Sequence, residues 1–266
     1  MTLVLNRLYH GYFWIFDELS DPRSSHILLS SPLSVLAVTF AYLHIVRVIG
    51  PKLMENRPPY DIKNVILLYN AVQILVNTYI SIKAARHVLK NPFGCLDLDW
   101  SDDPEAMDQL FIMNIFFHTK LLDLVDTVFF VLRKSYRQVS FLHLYHHSGM
   151  TILMWFGIRF FPGGMSLWIP MINGFVHVVM FIYYSLTALD SSWKQSIAFK
   201  KRLTQIQLLQ FIIILTVCIA IVFSDCSYPK LAGLMLIPQN LFITILFGDF
   251  YLKTYVFNKK SSKSTA

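Results

Sequence analysis

The sequence predicts an all-α integral membrane protein of about seven transmembrane helices, and three observations carry that prediction. The 266 residues are 55% hydrophobic and only 15% charged, less charge than a soluble domain of this size carries. Apolar windows long enough to cross a bilayer recur about seven times along the chain. The connections between them leave no room for a separate soluble domain, so residues 1–266 are expected to form one multi-pass domain in membrane lipid, with no nucleic-acid partner.

Residues 1–26 lack a continuous apolar core and carry Asp17, Glu18 and Asp21 among aromatics. They are expected to be a luminal segment, not a signal peptide, which leaves the first span to act as the insertion signal. The spans read as 27–49, 62–85, 109–132, 141–158, 167–189, 203–223 and 231–257. The fourth is short and is expected to borrow residues on both sides. Span two carries Asn70, Gln73 and Asn77 on one face, a pattern that reads first as interhelical glue. Span three carries Lys120, Asp123, Asp126 and Thr127. Carboxylates there are costly unless paired or facing water, and Lys120 is a local partner for Asp123. Span four opens with His143, His146 and His147 at i, i+3 and i+4, three imidazoles on one helical face. Such groups inside a membrane segment point to function. Span five places Asn173 and His177 at i, i+4, with Met180 and Tyr184 continuing the stripe. Thr204, Gln207 and Gln210 begin span six. Pro170 and Pro238 are candidate kink sites in spans five and seven.

Charge sets the expected orientation. Arg133, Lys134 and Arg137 follow span three; Lys194, Lys200, Lys201 and Arg202 follow span five; Lys253, Lys259, Lys260 and Lys263 close the chain. The loop after span two is acidic, with Asp97, Asp99, Asp102, Asp103, Glu105 and Asp108. The positive-inside rule then makes the C-terminus, with its basic tail 258–266, cytosolic and the N-terminus luminal. The net charge of +7 follows from these loops. Basic loops fix orientation, and beside a polar site they also suit phosphorylated ligands: Arg133, Lys134, Arg137, Lys201 and Arg202 are the candidates. In this topology Cys95 and Cys226 share the non-cytosolic side, so a Cys95–Cys226 disulfide is expected, while Cys218 packs as a small hydrophobe. The polar residues converge on the cytosolic half of the bundle and leave the far half apolar. That suits an amphiphile with a soluble head and a long tail.

Four stretches resemble the sequence boxes of the very-long-chain fatty acid elongase family. K120-L-L-D123-L-V-D126-T127 resembles its K-x-x-E-x-x-D-T box, and Q138-V-S-F-L-H143-L-Y145-H146-H147 resembles its histidine box. N173-G-F-V-H177-V-V-M180-F181-I-Y183-Y184 resembles N-x-x-x-H-x-x-M-Y-x-Y-Y, and T204-Q-I-Q207-L-L-Q210 resembles T-x-x-Q-x-x-Q. Asp123 stands where Glu is usual and Phe181 where Tyr is usual. The resemblance implies an endoplasmic reticulum enzyme that condenses malonyl-CoA with a long acyl-CoA. Spans two to seven would form a barrel around a narrow acyl tunnel. A ketoacyl-CoA reductase, a dehydratase and an enoyl reductase would process the product. The terminal K-K-S-S-K-S-T-A lacks standard dilysine spacing, so residence in the endoplasmic reticulum rests on resemblance. Homo- or hetero-oligomerisation stays open.

Such a condensation needs an activated acyl group, a carbanion from decarboxylation and stabilised oxyanions. No cysteine lies in or beside the boxes, so an imidazole is the expected acyl carrier. His146 is assigned to take the acyl group and His177 to assist malonyl decarboxylation or position the thioester, with His143 and His147 orienting rings. Asp123 or Asp126 would fix a histidine tautomer, and Asn173 would donate to an enolate oxygen. Lys120, Gln138, Tyr145, Tyr183, Tyr184, Thr204, Gln207 and Gln210 complete the substrate-binding set. No metal and no cofactor are expected. Two other classes compete: a di-iron desaturase or hydroxylase, which also uses H-x-x-H-H, and a non-enzymatic seven-span lipid carrier. The first needs several histidine boxes, whereas His10, His26, His44, His87 and His118 are isolated. Of these, only His118, near Lys120, is expected near the site; the others are expected to be interfacial or core histidines. The second does not require clustered imidazoles.

Overall fold

The computed structural model describes residues 2–24 and 30–257. His26, the start of the first expected span and the tail with Lys259, Lys260 and Lys263 lie outside the described residues. Among the described residues the chain is helical with no strand. The helices are α1 (Thr2–Phe13), α2 (Pro32–His44), α3 (Gly50–Met54), α4 (Lys63–Val88), α5 (Pro104–Leu132), α6 (Phe141–Phe160), α7 (Trp168–Leu189), α8 (Ile197–Phe223) and α9 (Lys230–Tyr251). A π-type stretch, Ile45–Ile49, joins α2 and α3 into one 23-residue helix, Pro32–Met54.

Local sequence sets the helix starts. Ser31, Ser140 and Ser196 cap α2, α6 and α8, each accepting from a backbone N–H in the first turn. Pro104 opens α5, with Glu105 in its first turn. Pro170 sits within the first turn of α7, where it breaks no helical hydrogen bond, whereas Pro238 lies inside α9.

Among the described residues, five helices are long and apolar enough to cross a membrane: Pro32–Met54, Lys63–Val88, Gly164–Leu189, Ile197–Phe223 and Lys230–Phe257. The sequence reading expected seven. The two others, α5 and α6, have 29 and 20 residues, enough for about 30 Å or more of rise. What α5 and α6 lack is apolarity. Lys120, Asp123 and Asp126 break the one, and His143, His146, His147 and Arg159 the other.

Burial along α4 runs opposite to that of a soluble helix. Asn70, Gln73 and Asn77 are buried, while Leu68 and Leu75 are 68% and 70% exposed. Only a lipid surround makes that distribution favourable. The protein is a multi-pass membrane protein.

The chain divides into two compact units: Met1–Tyr60 with Leu96–Leu167, and Asp61–Cys95 with Trp168–Ala266. In unit 1, α6 packs on α5 and α2 around Tyr42, Val46, Met54, Leu124, Val131 and Leu144. A Cβ on Gly50 would lie 2.7 Å from Val131 Cγ1, so glycine lets α3 approach α5 closely. The segment after α1 is tied to the end of α6. Arg159 donates to Phe16 O, to Ser20 Oγ and to Ser24 Oγ, and accepts from the Asp21 N–H. Asp21 itself pairs with Arg23 at 2.6 Å.

In unit 2, α4 and α7 pack antiparallel with Gly174 against the Asn77 carbonyl. Helices α8 and α9 form a hairpin in which a Cβ on Gly233 would lie 2.8 Å from Cys218 O. Cys95 and Cys226 are bonded, with their Cα atoms 5.3 Å apart. Cys218 is buried and free.

Candidate active site

The boxes fall on α5, on the turn and helix of α6, on α7 and on α8. In unit 1, Lys120 and Asp123 form an ion pair of 2.8 Å with both side chains buried. The Lys120 ammonium also lies 4.8 Å from the Phe116 ring centroid, so charge and ring face together hold it within the helix bundle. Asp126 is half-buried on the same helix.

The imidazoles open α6. Ser140 caps the helix through the His143 N–H, which sets His143 in its first turn. The His143 and His147 ring centroids are 4.1 Å apart, and those of His146 and His147 are 5.9 Å apart and nearly perpendicular. His143 Nε2 lies 2.7 Å from Thr127 Oγ1, and that hydroxyl lies 2.8 Å from Tyr42 Oη. At His143 the partner of Nε2 is a hydroxyl. Thr127 belonged to the K-x-x-D-x-x-D-T box, so its position was visible although its role was not. Tyr42, on an otherwise apolar span 85 positions away from Thr127, gave no signal.

Tyr145 is half-buried and its ring stacks near Phe141. Gln138 ends the turn Tyr136–Gln138 and is exposed, as are Arg133 and Arg137. Lys134 adopts a positive φ of 54° and donates to Glu55 O. The His118 ring is exposed, and its Nδ1 lies 2.8 Å from Asn114 O on its own helix.

In unit 2, His177 and Asn173 are buried on α7, and Asn173 Nδ2 donates to Gln210 Oε1 at 3.4 Å. Gln207 Nε2 donates to Met180 Sδ. Phe181, fully buried, brings its ring near those of Tyr69, His177 and Tyr184, so an apolar ring fills the position where the elongase box carries Tyr. Tyr183 is buried and stacks on Phe199 with centroids 4.9 Å apart. Thr204 donates to Lys200 O on its own helix. Lys201 lies over the Tyr251 ring, and Arg202 donates to Gln205. The α4 amides join this unit. Their spacing was legible in the sequence.

Among the described residues no set of three or more His, Cys, Asp and Glu side chains is arranged to hold a metal ion.

Comparison with known proteins matches residues 27–264 to the ELO model, the GNS1/SUR4 family. A very long chain fatty acid elongase of Aedes aegypti is 36% identical over 255 residues, covering 94% of this chain and 71% of that protein. Very long chain fatty acid elongase 7 of Drosophila melanogaster is 34% identical, over 98% of this chain and 80% of its own length. Very long chain fatty acid elongase 7 of Rattus norvegicus is 35% identical, over 94% and 90%.

Proposed function

The chain belongs to the GNS1/SUR4 family, and from that premise we propose that this fatty acid elongation enzyme is a very-long-chain 3-oxoacyl-CoA synthase. It joins malonyl-CoA to a long acyl-CoA, releases carbon dioxide and CoA, and yields a 3-oxoacyl-CoA two carbons longer. The observation that carries the reading is the set of imidazoles opening α6, in which His143 is held by the buried Thr127 hydroxyl and its ring centroid lies 4.1 Å from that of His147. Three histidines are costly to keep in a membrane helix merely for packing.

In this reading a neutral ring nitrogen of His146 attacks the thioester carbonyl. The C–S bond breaks, the acyl group stays on the imidazole, and the departing thiolate takes the imidazole proton. Loss of carbon dioxide from malonyl-CoA leaves the electron pair on its C2. That carbanion attacks the acyl carbon, the N–C bond breaks with its electron pair staying on nitrogen, and the imidazolate takes one proton from solvent to return His146 to its neutral form. His143 and His147 orient the ring. His177 serves malonyl decarboxylation, and Asn173 donates to the enolate oxygen. Arg133, Lys134, Arg137, Lys201 and Arg202 are assigned to CoA phosphates. The reaction needs no metal or other cofactor. We place the protein in the endoplasmic reticulum membrane, N-terminus luminal and C-terminus cytosolic. There it hands its product to a reductase, a dehydratase and an enoyl reductase.

The test is incubation of purified protein with malonyl-CoA and a panel of acyl-CoAs. The expected result is a product two carbons longer with one carbon dioxide per turn, lost in His146→Ala. Mass spectrometry without malonyl-CoA is expected to find an acyl group on a histidine, and an adduct on any other residue type refutes the covalent version. Stoichiometric iron in the purified protein would overturn the reading in favour of an oxidase.

A further inference from the structure

One face of α4 buries three amide side chains, Asn70, Gln73 and Asn77, at 2%, 0% and 0% exposure. Their bonds run in one direction. Asn77 Nδ2 donates to Gln73 O at 2.9 Å and to Gln73 Oε1 at 3.0 Å, and Gln73 Nε2 donates to Tyr69 Oη at 2.8 Å. Both atoms facing Asn77 Nδ2 are acceptors, so the opposite amide orientation would set oxygen against oxygen. Asn77 Oδ1 therefore points away from Gln73, and it is buried without a hydrogen-bond partner. Asn70 Nδ2 is buried without a partner as well. An orphaned buried amide atom costs about 1–3 kcal/mol, and an apolar side chain at either position would avoid that cost. Interhelical glue does not explain atoms that bond to no helix.

The face lies against α7. Ser81 Oγ donates to Met171 O, the Asn77 carbonyl meets Gly174, and the Tyr69 ring meets Phe181. Those three contacts fix an antiparallel register in which His177 falls level with Gln73, between the two orphaned atoms.

We propose that Asn70 and Asn77 bind the pantetheine arm of the CoA thioester. Asn70 Nδ2 donates to an amide carbonyl of the arm, and Asn77 Oδ1 accepts from an amide N–H. The chemistry selects this ligand. An acyl tail offers neither group. A thioester or a carboxylate offers acceptors only and would satisfy Asn70 but not Asn77. A chain of successive amides offers both. The two positions are seven residues apart, about 10 Å along the axis, further than a single amide group spans. Gln73 is a positioning residue that fixes the Asn77 amide. The inference rests on the elongase reading.

Asn70→Leu in the full-length protein separates the alternatives, because it removes an orphan without breaking a described bond. The melting temperature is expected to hold or rise. The KM for acyl-CoA should rise about tenfold, an effect larger than that on kcat and equivalent to one hydrogen bond of about 1.4 kcal/mol. Thermal stabilisation by CoA should weaken, while that by adenosine 3′,5′-bisphosphate, which lacks the arm, should match wild type. An unchanged KM with an unchanged response to CoA overturns the proposal. So does a lowered melting temperature with CoA binding intact, the signature of glue. If Asn70→Leu does not fold, Asn70→Ser is read by the same criteria. Wild-type protein that condenses while the variant behaves identically sinks this inference alone. Wild-type protein that binds CoA through Asn70 and makes no 3-oxoacyl product sinks the elongase reading alone.

Discussion

The Thr127 hydroxyl sits between two groups, Tyr42 Oη at 2.8 Å and His143 Nε2 at 2.7 Å, and has no exposure of its own. A hydroxyl there can donate to the ring or accept from it, and either arrangement fixes which nitrogen of His143 carries the proton. Thr127→Val keeps the shape and removes both bonds. It is expected to lower kcat about tenfold to a hundredfold, the range typical of losing a partner that orients a functional histidine. Tyr42→Phe leaves the Thr127–His143 bond in place and should cost less. Steady-state assays of the two variants check the order, and a Tyr42→Phe loss as large as that of Thr127→Val would contradict it. Sequence reasoning placed the imidazoles and looked for a carboxylate to hold them. Tyr42 was not legible, because a tyrosine on a mostly apolar span carries no periodic or charge signal, and its partner lies 85 positions away.

Helices α5 and α6 lie where two of the expected spans were read and have the length for it, yet they fail on apolarity because they carry charged and imidazole side chains. The same residues that marked the site in the sequence make these the least membrane-like of the long helices. The Lys120–Asp123 pair shows how α5 tolerates them. Its two charges, one helical turn apart, neutralise each other with side-chain exposures of 3% and 5%. Removing one partner strands the other, so Asp123→Asn is expected to destabilise the folded protein by about 3–5 kcal/mol. Lys120→Met with Asp123→Leu removes both charges and should recover much of that loss. Thermal melts of the single and double variants in one detergent make the comparison. A double variant less stable than Asp123→Asn would show that the pair contributes more than mutual neutralisation. Arg159 lies one position past the fourth expected span. Its bonds to Phe16, Ser20 and Ser24 bring together residues that local sequence patterns treat separately.

At the scale of the molecule, the order of the helices was legible from the apolar windows, and their packing was not. Grouping the helices into two units requires the long-range contacts, since each unit takes two separate stretches of chain. The Cys95–Cys226 bond joins the two stretches of unit 2 across 131 positions. Cross-linking a loop of that length removes about 5 kcal/mol of unfolded-state entropy in the chain model. Membrane insertion already restrains the unfolded chain, so that figure is an upper bound. Cys226→Ala is expected to lower the melting temperature, and a reducing agent should lower that of the wild type to match. A reducing agent that leaves the wild-type melt unchanged would count against a stabilising bond.

The same cysteine chemistry gives a direct test of orientation. Of the three cysteines two are bonded and Cys218 is 1% exposed, so an introduced surface thiol would be the reactive one. Lys194 and Asp102 are exposed on the two kinds of loop that the charge pattern separates. In sealed microsomes a membrane-impermeant maleimide is expected to label Lys194→Cys at once and Asp102→Cys only after permeabilisation. The reverse order would invert the topology. It would put the basic residues assigned to CoA phosphates on the luminal face, away from cytosolic acyl-CoA, and the Cys95–Cys226 bond in a reducing compartment where such bonds rarely persist.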